Sequence, residues 1–135
     1  MKVNDFDRVL VADDHRDTRH AIEGVLSAEF DVIGSVANGK DLLRDALALH
    51  PDVIVTDIAM PFLSGPQVMD ELMSRGHDIP FVLVSVGFSG VDDFIDHGAM
   101  AMVTKLDMIP ELAQAVRCAA SRKIYVSRSA RSGDL

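Results

Sequence analysis

Five side chains, each placed just after a short apolar run, are of types that together could hold and transfer phosphate: Asp13 and Asp14, Asp57, Ser85 and Lys105. The runs before them are Val9–Ala12, Val53–Thr56, Phe81–Val84 and Ala101–Thr104. In a parallel α/β sheet the ends of such strands converge on one edge, where the connecting loops form the ligand crevice. Three carboxylates meeting there would raise one another's pKa. A divalent cation relieves that repulsion, and Mg²⁺ favours one or two carboxylates with water and phosphate oxygens. The hydroxyl and the ammonium would add a donor and a positive charge for an oxyanion. Taken singly, Asp14 could cap a helix, Asp57 start a turn and Lys105 be a surface charge. Their placement at the ends of four such runs favours one shared site that handles a phosphoryl group.

The elements that must position these residues show in the hydrophobic period, which switches repeatedly between strand-like runs and helical spacing. Arg8–Asp13 reads as a first strand, and Ile22, Val25 and Leu26 mark a first helical face. A second strand over Asp31–Ala37 leads through Asn38-Gly39 to a helix with Leu42, Leu43, Ala46 and Leu47, ended before Pro51. A third strand ends at Asp57, and Pro66 suits the first turn of the helix carrying Val68, Met69, Leu72 and Met73. Phe81–Ser85 is the fourth strand. Gly87-Phe88-Ser89-Gly90 reads as a flexible loop into a short helix with Val91, Phe94 and Ile95. After Gly98 come the fifth strand and a last helix from about Asp107, carrying Leu112, Ala113 and Val116. Five βα units in one chain of this length predict an open parallel sheet covered on both faces.

Composition narrows the class. With 135 residues, 48% hydrophobic and 25% charged, the chain reads as one soluble domain large enough to build a core without staples. No apolar run approaches a membrane span and the N-terminus lacks a signal-peptide layout, so a cytoplasmic setting and no membrane partner are expected. The single cysteine, Cys118, lies among alanines and valine and reads as a buried inert thiol. His15, His20, His50, His77 and His97 sit in polar neighbourhoods and read as solvated surface residues rather than metal ligands. The net charge of -8 argues against direct binding to nucleic acid. Five of the 13 basic side chains fall in the last twenty residues, beside one acidic residue. That basic segment reads as a helix end followed by a solvated tail or linker.

From about Asp7 to Ser121 the chain resembles the receiver domain of two-component response regulators. The resemblance rests on Asp13-Asp14 after strand one, Asp57-Ile58-Ala59-Met60-Pro61 continuing to Gly65, Ser85 ending strand four, and Gly98-Ala99 with Lys105 around strand five. Asp13-Asp14-His15 with Arg19, and the tail Arg122–Ser127, look like the LuxR/NarL subfamily, whose receivers precede a DNA-binding helix-turn-helix. The likeness implies a flavodoxin-like, doubly wound (βα)5 three-layer sandwich with parallel sheet order 2-1-3-4-5. It implies a receiver domain over residues 1–121 and a basic tail or linker over residues 122–135.

The likeness also implies roles. Asp57 would be the phosphoacceptor, and Lys105 would pair with it before reaction and with the phosphoryl oxygens afterwards. Ser85 would donate its hydroxyl to a phosphoryl oxygen. Asp13, Asp14, Asp57 and the backbone carbonyl of Ala59 would hold Mg²⁺. The expected donor is a sensor histidine kinase or phosphotransfer protein. The chain would not be an enzyme beyond self-catalysed phosphorylation and dephosphorylation. A weak homodimer is expected, with DNA contact only through an additional helix-turn-helix domain. Three positions depart from the family pattern: Met102 stands where an aromatic residue is usual, Val86 where Ala or Gly is usual, and Leu106 where proline is frequent. Met102 lacks the ring that couples to the serine, and Val86 could restrict access to Asp57, so a weakened switch is expected. The alternative is a receiver-like interaction or dimerisation module whose output does not depend on phosphorylation.

Overall fold

A computed structural model describes residues 7–88 and 90–132. The strands are β1 (Arg8–Ala12), β2 (Asp31–Val36), β3 (Val53–Asp57), β4 (Phe81–Ser85), β5 (Ala101–Thr104) and β6 (Tyr125–Val126). The helices are α1 (Arg16–Leu26), α2 (Gly39–Leu49), α3 (Gly65–Ser74), α4 (Val91–Asp96), α5 (Met108–Ala120) and α6 (Arg128–Ser132). A 3-10 turn over Lys105–Asp107 joins β5 to α5. All strand pairs are parallel, in the order β2-β1-β3-β4-β5-β6.

The sheet is apolar on both sides because its inner strands are near-continuous apolar runs with polar residues only toward their ends, as expected of strands buried on both faces. Alternate residues then serve two cores. Val9, Val11, Val53, Val55, Val82, Val84 and Val103 meet Ile22 and Leu26 of α1 and Leu112, Ala115 and Val116 of α5. Leu10, Ala12, Ile54, Leu83 and Met102 meet Leu42 and Ala46 of α2, and Val68, Met69 and Leu72 of α3. Local chemistry sets the helix starts. The Asn38 side chain accepts from the Asp41 amide, and Ser64 with Gln67 forms a reciprocal capping box ahead of Pro66. Among the described residues no helix is long and apolar enough to cross a membrane.

Two expectations change. The sheet has six strands rather than five, because the segment after α5, expected as a solvated tail, turns back along β5. Tyr125 N–H donates to the Met100 carbonyl at 3.0 Å and Ser127 N–H to the Met102 carbonyl at 2.8 Å. Ser127 and Ala130 are buried. Arg122 reaches Asp78 at 3.0 Å and Arg117 reaches Glu29 at 2.6 Å, so these two cations spend their charge within the chain. The second change is Cys118, which is half-buried rather than buried. Residues 133–135 of the expected tail lie outside the described residues, as does Ser89 of the loop before α4. Phe88 of that loop is anchored edge-to-face against Phe94, with ring centroids 6.0 Å apart.

Cutting the chain after Ser121 removes two ladder hydrogen bonds and the burial of Tyr125, Val126 and Ala130. Urea denaturation is expected to show a loss of about 3 kcal/mol from these contacts. A midpoint unchanged by the cut would mean that β6 and α6 contribute no stability.

Candidate functional site

Parallel pairing fixes where the strand ends fall. Ala12 lies beside Thr56 and Asp57 beside Val84, while Ser85 is level with Thr104. Asp13, Asp57, Ser85 and Lys105 therefore leave the sheet at one edge. Gly65 keeps the next turn close: a Cβ there would stand 2.5 Å from the Asp57 carbonyl oxygen, and its N–H donates to Ile58 at 2.8 Å. A larger residue at this position would push the start of α3 away from Asp57.

Three of the expected residues come together tightly. Lys105 Nζ lies 3.3 Å from Asp57 Oδ2, within hydrogen-bond reach, and 3.5 Å from Asp13 Oδ2. Asp13 is fully buried and Asp57 is 6% exposed. Asp13 Oδ1 accepts from the His15 N–H at 2.8 Å, and Arg19 Nη1 donates to the Asp13 carbonyl at 2.8 Å. Its Oδ2, by contrast, is buried and accepts no hydrogen bond. The ammonium is near enough to attract that oxygen but not placed to bond it. Burial pushes the Asp57 carboxyl above the ordinary carboxylate range; Lys105 pulls it down and the Asp13 charge pushes it further up. One ammonium therefore does not neutralise two buried carboxylates.

Asp14 completes the cluster from the exposed side. It does not cap α1, whose N-cap is His15. The His15 ring, read from the sequence as simply solvated, is exposed but has Nδ1 3.2 Å from Asp14 Oδ1 and 3.5 Å from Asp13 Oδ1. Asp13, Asp14, His15 and Asp57 each offer a ligand atom, all within 4.8 Å of one another. Sequence reasoning missed His15; its one signal was its place directly after the acid pair. The oxygen-rich set and the unbonded Asp13 Oδ2 fit a hard divalent cation such as Mg²⁺.

The remaining expected residues sit at the rim. The Ser85 hydroxyl donates to the Gly87 carbonyl at 3.0 Å rather than into the carboxylate cluster. Ala59 lies in the exposed turn after β3. Val86, expected to restrict access, is 82% exposed, whereas Met102 is fully buried beside Leu83 on the α2 and α3 side of the sheet.

Comparison with known proteins agrees with this architecture. The response regulator receiver domain family matches residues 9–117. The chain is 34% identical over 124 residues to the transcriptional regulatory protein YvfU of Bacillus subtilis, covering 87% of this chain and 62% of that protein. It is also 34% identical over 127 residues to the response regulator GacA of Pseudomonas viridiflava, covering 89% of this chain and 58% of that protein. The chain thus spans less than two thirds of either relative. The signal receiver domain of NarL from Mycobacterium tuberculosis superposes with a TM-score of 0.81 at 28% identity, over 86% of this chain and 97% of that one. With its family match, sheet order and acid cluster in agreement, the chain belongs to the response regulator receiver domains.

Proposed function

We propose that this receiver domain accepts a phosphoryl group on Asp57 from the phosphohistidine of a sensor kinase or phosphotransfer protein, in the presence of Mg²⁺. The observation that carries the reading is the pairing of Asp57 with Lys105 beside the buried, incompletely bonded Asp13 carboxylate. An Asp57 oxygen attacks the phosphorus. The P–O bond forms as the P–N bond breaks, and the imidazole leaves with the electron pair and takes up a proton. Asp13, Asp14, Asp57 and the Ala59 carbonyl are the groups that would hold the metal, which when bound neutralises carboxylate and phosphoryl charge. Lys105 moves its attraction from the Asp57 carboxylate to the phosphoryl oxygens. Ser85 exchanges its bond to the Gly87 carbonyl for one to a phosphoryl oxygen, drawing the end of β4 inward. Such transfer asks for positioning and charge stabilisation, which these side chains supply. The output is a change in a protein-binding surface. One relative is a transcriptional regulatory protein, and by analogy any DNA contact would be made through an additional helix-turn-helix domain rather than through the receiver.

Incubating the chain with a small phosphodonor and Mg²⁺ should add one phosphate by intact mass, and Asp57→Asn should abolish the gain. No gain in the parent would favour a phosphorylation-independent interaction module; a gain surviving in Asp57→Asn would place the acceptor elsewhere.

Metal binding should raise stability, because a ligand that binds only the native state stabilises it by about 2.7 kcal/mol at a hundredfold excess over its dissociation constant. Thermal melts with millimolar Mg²⁺ should exceed those in chelator, and Asp13→Asn should shrink the difference. Equal melts for the parent would remove the metal from the scheme.

The raised Asp57 pKa has a signed consequence for folding. A carboxyl that ionises less readily in the folded chain than in the unfolded one costs stability above its folded pKa. The cost fades as pH falls through that raised value toward the ordinary carboxylate value, where both states are protonated. In chelator, Asp57→Asn should therefore denature later than the parent at pH 7.5, with the gap closing as the buffer approaches pH 3.5. A variant that is less stable at pH 7.5 would show that the Lys105 pairing outweighs burial.

A further inference from the structure

The family match ends at residue 117, yet residues beyond it reach back to Thr104, directly before Lys105, and to Asp107, at the end of the 3-10 turn that Lys105 opens. Thr104, the last residue of β5, is buried, and its N–H donates to Ser127 Oγ at 3.1 Å. Thr104 Oγ1 in turn accepts from the Asp107 N–H at 3.3 Å, closing the 3-10 turn that begins at Lys105. At the far side of that turn the Asp107 carboxylate accepts the Ser129 N–H at 2.6 Å and the Ser129 hydroxyl at 2.9 Å. Burial opposes the charge on Asp107, but bonds from Ser127, Ser129 and Thr104 outweigh it and hold its pKa below the ordinary value. The segment is tied once more through Glu111, which accepts from the Tyr125 hydroxyl at 2.5 Å and from the Arg128 N–H at 3.2 Å. Burial and the Glu111 carboxylate push the Tyr125 phenol up to about 12, so it remains a donor at neutral pH.

From this arrangement we infer that Ser127, with the Asp107–Ser129 clasp behind it, is a positioning residue for Lys105: the C-terminal segment fixes the base of the lysine whose tip bridges Asp13 and Asp57. The physical need is clear. A lysine side chain carries much rotamer freedom, and its tip is only as well placed as its backbone. Nζ is poised between two carboxylate oxygens at 3.3 and 3.5 Å. A shift of the turn by an ångström would lengthen both contacts, and displacements of that size can cost about a hundredfold in rate. The inference rests on the phosphoacceptor reading for its effect on rate, but not for its effect on the mobility of Lys105.

The test therefore has two readouts on the full chain. In the first, ¹³C relaxation of the Lys105 Cε methylene should report a restricted side chain in the parent and a markedly freer one in Ser127→Ala. Ser127→Thr, which keeps the hydroxyl, should restore the parent value. In the second, Ser127→Ala should slow Asp57 phosphorylation by a small phosphodonor roughly tenfold. In a Lys105→Ala background it should change the residual rate less than twofold, because there is no ammonium left to misplace. Should Ser127→Ala fail to fold, Ser129→Ala opens the clasp from its less buried end and should show the same pattern in weaker form. An unchanged Lys105 order parameter, or equal slowing with and without Lys105, would overturn the inference and leave Ser127 as a holder of the tail alone. A parent that is never phosphorylated would overturn the functional reading while the relaxation data still judged this one.

Discussion

Two buried carboxylates share one ammonium, and much of the chain's design follows from that imbalance. Asp13 and Asp57 are removed from water by the same packing that builds the sheet, so their charges cannot be dispersed by solvent. Lys105 reaches both but bonds only Asp57, leaving Asp13 Oδ2 without a hydrogen bond. A site with surplus negative charge and one lysine is poised to gain a cation and then to tolerate an incoming phosphoryl group. Affinity for such partners would come from relieving what folding has stored.

Maintaining such a cluster requires that its backbone not relax. The apolar continuity of β1, β3, β4 and β5 provides this, because a one-residue slip in any of these strands would turn its buried residues to the wrong face and break the alignment of the strand ends. Gly65 holds the following turn against Asp57, and the Asp13 carboxylate gives one oxygen to the start of α1 while the other faces Lys105. Fold and site are thus joined through the same side chains.

The strand ends were legible because runs such as Val53–Val55 and Phe81–Val84 are apolar throughout and each is followed by a polar residue. The acid cluster was legible for the same reason: a residue after a strand has few places to go. What escaped notice were features whose partners are distant or whose elements are too short to show a period. Tyr125 and Val126 form a strand of two residues, which no periodicity can mark, inside a segment whose charges suggested a solvated tail. Ser127 looked like any tail serine, since its partner Thr104 is 23 residues away. The direction of the Ser85 hydroxyl depends on the carbonyl of Gly87, a backbone detail that residue type does not encode.

The short β6 also bears on how the molecule behaves in company. A sheet ending at β5 would offer the four-residue row Ala101–Thr104 as a template on which a neighbouring chain could add its own strand, the first step toward domain swapping or fibrous aggregates. Two paired residues of β6, followed after Ser127 by a short helix that buries Ala130 in the core, cover part of that template while leaving too little new edge to propagate. The exposed Lys123 just before it places a charge where a second backbone would have to approach. The segment that closes the sheet thereby helps keep the chain from polymerising through its own backbone.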